Sequence, residues 1–341
     1  MPLPNLTGYA ALIDARSPSE YAEDHIPGAI NLPVLNDAER AEVGTIYTQV
    51  SAFQAKKIGA ALVSRNIASH LEHYFNDKAR AFTPLVYCWR GGNRSGAMTT
   101  ILRAVGWGAV QLEGGYKAFR RQVLDDLVHL PARFDLRIIG GPTGVGKSLL
   151  LRALAEEGAQ VLDLEDLAAH KGSVLGPYPD RPQPSQKFFE TLIWSALSGF
   201  DPSRPVFVEA ESKRVGRVHV PDALIAAMRA APIIRLEATL AVRVALLKAD
   251  YAYYLADPDD LCRQLDCLTA LRGHETVEHW KTLARDGAWD VLVNNLLEAH
   301  YDPLYARSLG QNYTAETTTV LQLDSPTAEA FSALARQIAQ R

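Results

Sequence analysis

Gly141-Pro142-Thr143-Gly144-Val145-Gly146-Lys147-Ser148 is the stretch on which the reading of this fold turns. Its eight residues fit the pattern of a phosphate loop, which has meaning only between a strand and a helix. Both flanks are present. Phe134-Asp135-Leu136-Arg137-Ile138-Ile139 reads as a strand, and the spacing predicts a helix over 149–157. In such a loop the backbone N–H groups around Gly141, Gly144 and Gly146 wrap a diphosphate, Lys147 neutralises its oxygens and the Ser148 hydroxyl can ligate magnesium. Nucleotide hydrolysis would also need an acid at the end of a neighbouring strand. Asp163 follows one apolar run, Val161-Leu162, while Glu209 and Glu211 follow Val206-Phe207-Val208, and the second run is the better positional analogue.

Further strands are expected at 159–162, 206–208 and 233–236, separated by helical segments, and residues 240–297 read as mainly helical. The Pro/Gly-rich stretch 172–184 is the longest irregular segment, the kind that often carries a substrate loop. On the N-terminal side the pattern starts anew. Ala10-Ala11-Leu12-Ile13-Asp14 is a strand, Ser17-Pro18-Ser19-Glu20 caps a helix, 38–75 has helical spacing, and Pro84-Leu85-Val86-Tyr87 is a strand running into Cys88. A helix over 96–105 and a strand over 108–112 follow. Strands alternating with helices predict an α/β class for both halves, with a boundary at about residue 130. The expected domains are thus 1–130, with a helical insertion over about 34–83, and 131–341, a phosphate-loop NTPase-like domain with added helices.

Cys88-Trp89-Arg90-Gly91-Gly92-Asn93-Arg94-Ser95 lies where a strand gives way to a helix, so backbone N–H groups and a helix N-terminus can converge on one sulfur. Arg90 and Arg94 add positive charge, and Gly91 and Gly92 allow close backbone approach. Together they form a cradle that lowers the thiol pKa and stabilises a thiolate or a bound sulfur or selenium anion. Cys262 and Cys267 have no histidine pair nearby, so no zinc site is expected and both read as structural.

Composition narrows the classes. With 48% hydrophobic and 22% charged residues among 341, the chain can bury a core, which excludes a wholly disordered protein. Arg16 is the first basic residue, and no uncharged apolar run approaches the roughly 18 residues of a membrane span, so a cytoplasmic location without membrane contact is expected. The formal net charge of -4 does not draw polyanions, and a nucleic-acid partner requires local basic patches. Lys213, Arg214 and Arg217 form one candidate, and Arg120, Arg121, Arg133 and Arg137 a second.

The N-terminal residues resemble the rhodanese (sulfurtransferase) family: Asp14-Ala15-Arg16, His25-Ile26-Pro27-Gly28-Ala29-Ile30-Asn31-Leu32-Pro33, the Cys88 loop, and Leu112-Glu113-Gly114-Gly115-Tyr116. That resemblance implies Cys88 as nucleophile and carrier. The 50 residues between Pro33 and Pro84 exceed a minimal domain of this kind. Joined to a phosphate loop, the whole resembles the tRNA 2-selenouridine synthase family. The likeness includes the insertion around Arg40-Ala41-Glu42-Val43-Gly44-Thr45-Ile46-Tyr47 and the segments at 163–173, 184–190, 208–216 and Tyr301-Asp302-Pro303-Leu304-Tyr305. It implies a transferase that replaces sulfur by selenium in wobble 2-thiouridine of tRNA. Selenophosphate and geranyl diphosphate would be co-substrates, an S-geranylated tRNA the intermediate, and no tightly bound cofactor would be needed. Two rival readings remain at this level: an ATP-dependent sulfurtransferase acting on a small molecule, and a noncatalytic tRNA-binding module.

Overall fold

Residues 8–90, 92–312 and 317–339 are described in a computed structural model. Contacts divide the chain into two units, Met1–Asp126 with Lys187–Ser195, and Leu127–Gln186 with Ala196–Arg341.

In the first unit, β1 (Ala11–Asp14) leads to helix α1 (Pro18–Glu23) and β2 (Ile30–Asn31). The insertion forms α2 (Asp37–Gln49) and α3 (Ala52–His70), and β3 (Pro84–Tyr87), α4 (Asn93–Val105), β4 (Val110–Gln111) and α5 (Gly115–His129) follow. The four strands pair in parallel in the order β2-β1-β3-β4, with β1 and β3 central and almost wholly buried. The insertion is pinned to the strand ends. Asn66 donates from Nδ2 to the Val34 carbonyl at 3.1 Å and to Glu39 Oε2 at 2.8 Å, and His70 Nε2 lies 2.9 Å from the Pro33 carbonyl. Helix α4 begins at Asn93, three residues before the start read from its apolar spacing, because Arg94 and Ser95 belong to its first turn.

In the second unit, β5 (Leu136–Gly140), α6 (Lys147–Glu156), β6 (Gln160–Leu162), α7 (Leu164–Leu167), α8 (Gln186–Gly199) and β7 (Val206–Glu209) come first. A hairpin of β8 (Arg214–Val215) and β9 (Val218–His219), α9 (Asp222–Ala230) and β10 (Ile233–Ala238) complete the expected strands. The helical stretch comprises α10 (Leu240–Asp250), α11 (Ala252–Ala256), α12 (Pro258–Leu265), α13 (Thr269–Arg272), α14 (His274–Arg285), α15 (Trp289–Leu296) and α16 (Asp302–Asn312). The chain then returns to the sheet as β11 (Thr317–Leu323) and ends in α17 (Ala328–Ala339). The sheet is parallel in the order β11-β10-β5-β7-β6, so β5 is central and flanked on both sides. After β7 the chain crosses to the other side of β5, and the crevice at such a switch point is where open α/β sheets bind ligands.

The contact division differs from a contiguous split at 130 in ending the first unit at Asp126 and in placing Lys187–Ser195, most of α8, in that unit. Arg120 explains the placement. Its guanidinium is half-buried, ion-paired with Glu190, and donates to the Lys187 carbonyl at 3.0 Å, while Trp194 Nε1 donates to Asp126 at 2.8 Å. Arg120 is therefore engaged within the protein and not offered to a nucleic acid. No described helix is long and apolar enough to cross a membrane.

Candidate functional site

Cys88 sits at the end of β3 and is 3% exposed, with its carbonyl and that of Trp89 accepting from the first N–H groups of α5, Tyr116 and Lys117, each at 2.8 Å. Beneath the loop is a buried ion pair. Arg16 reaches Asp14 at 2.6 Å with both side chains at most 1% exposed, and it lies 3.9 Å from the centre of the Tyr116 ring, whose hydroxyl donates to Asp24 at 2.7 Å. Removing one member of such a pair costs about 3–5 kcal/mol, so Asp14-Ala15-Arg16 acts as the floor that holds the cysteine loop.

The sulfur's partner is one that sequence reasoning missed. Ser95 Oγ lies 3.2 Å from Cys88 Sγ and is itself held by Gln111 Nε2 at 2.9 Å. Burial opposes the thiolate, but hydrogen bonds from the Ser95 hydroxyl and amide, the charge of Arg94 and the Gly92 amide outweigh it and hold the thiol below its ordinary value. Arg94 is not a free arm of the cradle, since Glu20 takes its guanidinium at 2.5 and 3.2 Å. Arg90 is exposed, and Gly91 lies outside the described residues. Ser95→Ala should raise the Cys88 pKa, because the thiolate loses a hydrogen bond that favours the charged form. Thiolate absorbance against pH measures it, and an unmoved midpoint would show that Arg94 and the backbone suffice.

In the second unit Gly141, Gly144 and Gly146 all take positive φ, at 151°, 79° and 90°. Their neighbours exclude side chains. A Cβ at Gly141 would lie 2.5 Å from the Leu236 carbonyl oxygen, and one at Gly146 would lie 2.5 Å from the Phe331 ring. Lys147 Nζ donates to the Gly141 carbonyl at 3.1 Å, closing the loop on itself, and Ser148 Oγ donates to Glu165 at 3.0 Å. Arg243, 100 residues away, donates to the Thr143 carbonyl at 2.7 and 2.9 Å and to Asp302 at 2.6 and 3.0 Å. The Tyr305 hydroxyl accepts from the Gly141 amide at 2.7 Å. The segment Tyr301-Asp302-Pro303-Leu304-Tyr305 thus clamps the phosphate loop from outside.

The candidate acids gather around Glu165, the carboxylate to which Ser148 donates. Glu209 ends β7 in register with Ile139 of β5, is 1% exposed, accepts from the Glu165 amide at 2.8 Å, and leaves Oε2 without a partner. Burial pushes its carboxyl well above the ordinary range, and Asp163, Glu165 and Glu211 add to this. Burial and Glu165 push Glu211 to about 8, and burial raises Asp163 to about 6 while it caps α7. The folded cluster holds more protons than the unfolded chain, so it costs stability as pH rises from 4.5 toward 8. Among the described residues no three such side chains already form a metal site. Glu165 is not among the acids read from the sequence, since it does not directly follow an apolar run, and only the fold aims it at Ser148.

Of the basic candidates, Lys213, Arg214 and Arg217 are exposed on the β8–β9 hairpin. Lys213 pairs with Asp222 at 2.7 Å and Arg214 Nε donates to the Gly216 carbonyl at 2.7 Å. Cys262 is buried in a helical core and Cys267 is exposed.

Two families match this chain, the rhodanese-like domain over residues 4–122 and the tRNA 2-selenouridine synthase AAA domain over residues 134–266. A tRNA 2-selenouridine synthase of Bdellovibrio bacteriovorus is 36% identical over 346 residues, covering 89% of each chain. One of Marinobacter nauticus is 32% identical over 329 residues, covering 88% of each. One of Nitrosomonas europaea is 37% identical over 244 residues, and there the match covers 70% of this chain and 63% of the relative.

Proposed function

Because the chain belongs to the tRNA 2-selenouridine synthase family, we propose that it replaces the sulfur of wobble 2-thiouridine in tRNA by selenium from selenophosphate, by way of an S-geranylated intermediate. The observation that carries this reading is that one chain holds both an anion-stabilising cysteine loop and a diphosphate cradle. In the first step the thiocarbonyl sulfur attacks the prenyl carbon of geranyl diphosphate, the carbon–oxygen bond breaks, and diphosphate departs. Lys147 and the glycine backbone from Gly144 to Gly146 are assigned to stabilising the charge that develops on it.

S-geranylation turns a poor leaving group into a thiol. In the second step the selenium of selenophosphate attacks the base carbon, the carbon–sulfur bond breaks and geranylthiol leaves, and water then cleaves the selenium–phosphorus bond to release phosphate. Cys88, whose thiol pKa is lowered against burial by Ser95, Arg94 and backbone amides, is assigned to selenium delivery. Ser148, Glu165 and Glu209, whose Oε2 has no partner, are the residues that would hold a magnesium ion, and such an ion would neutralise diphosphate oxygens. Arg214 and Arg217 are assigned to tRNA phosphates, and the site of action is the cytoplasm, where tRNA is found.

Pure protein incubated with thiouridine-bearing tRNA should yield S-geranylthiouridine when given geranyl diphosphate, and selenouridine when selenophosphate is added. Mass spectrometry of the nucleosides reads both. Sulfur transfer to a small molecule driven by ATP, with tRNA unchanged, would favour the small-molecule sulfurtransferase instead, and no reaction of either kind would favour a binding module.

A further inference from the structure

The phosphate loop shares a wall with an apolar groove of the helical part. Thr143 of the loop lines it together with Leu175, Leu247, Leu255, Trp289 and Val293. Leu247 joins the two features physically, because a Cβ at Gly144 would lie 2.6 Å from its Cδ1. The loop therefore rests on one of the groove's own side chains, and Thr143 sets the loop and the hydrocarbon side by side. Ser173, Tyr251, Tyr254 and Tyr301 also line the groove, but Ser173 and the Tyr251 hydroxyl already face each other at 3.4 Å, and a ribose or base laid against the leucine and valine side chains would bury hydroxyls and ring nitrogens unpaired, at a cost for each. A hydrocarbon chain gains instead from every methylene it buries there.

We propose that this groove receives the hydrocarbon chain of a diphosphate ester whose head sits in the phosphate loop, so that chain length is read by the walls formed by Leu255 and Val293. The proposal rests on the reading that the loop binds a prenyl diphosphate, and it adds where the prenyl chain goes. The groove's free volume is about 60 Å³, room for part of such a chain, and complete entry requires the half-buried side chains of Leu247, Leu255 and Val293 to turn aside.

The test uses the full chain and two ligands, geranyl diphosphate and inorganic diphosphate. Leu255→Phe and Val293→Phe narrow the groove, and each should weaken geranyl diphosphate by about tenfold or more, equivalent to burying roughly two fewer methylenes, while inorganic diphosphate stays unchanged. Geranyl diphosphate bound equally well by the folded Phe variants overturns the assignment, as does a parallel loss of inorganic diphosphate, which would place the effect on the loop. Val293→Ala widens the site without overpacking it. It should shift preference from geranyl toward farnesyl diphosphate by about threefold or more, the value of about one methylene, and an unchanged preference sinks the proposal even if both Phe variants misfold. Wild-type protein that binds ATP and not geranyl diphosphate refutes the underlying reading of the loop itself, before any variant is made.

Discussion

Cys88→Ser should abolish selenium insertion, lowering its rate by on the order of 10³-fold or more, and should leave S-geranylation of tRNA intact. The asymmetry follows from where the residue sits. The sulfur is 3% exposed at the end of a central strand, with Ser95 Oγ 3.2 Å away and a thiol pKa held low. Serine retains the size and the hydrogen bond to Ser95 but is far too weak an acid to form the anion at neutral pH, so the loop keeps its shape and loses its nucleophile. Alkylating the thiocarbonyl requires no selenium and no thiolate from the protein. Nucleoside mass spectrometry after separate incubations with geranyl diphosphate and with selenophosphate measures the two steps. Loss of both steps in a folded Cys88→Ser protein would end the division of labour between the two loops.

Lys147→Ala should produce the reverse pattern, a fall in geranylation of about 10²–10³-fold, the usual effect of removing one preorganised group from a charge-stabilising site. Nζ now closes on the Gly141 carbonyl at 3.1 Å, the position from which it can swing to an incoming phosphate oxygen. Selenium insertion into ordinary thiouridine tRNA should fall with it, because the intermediate is not made. Supplying tRNA that already carries S-geranylthiouridine should restore insertion, since that substrate no longer needs the diphosphate cradle. Failure of this bypass while tRNA still binds, or a requirement for ATP in geranylation, would give the phosphate loop a different ligand.

Both loops were legible in the linear chain because their chemistry is local. A strand end, glycines that permit positive φ and a helix start lie within about ten residues, and the positive φ of Gly141, Gly144 and Gly146 is that geometry realised. The strands β1, β3, β5, β7 and β10 were legible for a similar reason, since buried parallel strands are short continuous apolar runs. Strand β11 was not, because Thr317-Thr318-Thr319-Val320-Leu321-Gln322-Leu323 lies at the sheet edge far from the other strands and has few apolar residues to announce it.

The sequence by itself thus determined the α/β class, the cysteine loop and the phosphate loop, each specified by neighbours along the chain. Only the tertiary structure decided what those loops touch. Arg243 grips a carbonyl 100 residues away, Gln111 holds Ser95 from 16 residues off, Tyr305 caps the Gly141 amide across 164, and Glu165 and Glu209 meet near Ser148 from separate elements. Arg94 and Arg120, read as open charges, are tied to Glu20 and Glu190. The physical reason is that hydrogen bonds and ion pairs act over a few ångströms whatever the separation in sequence, so residue types along the chain supply the groups and packing of the sheet and helices selects their partners.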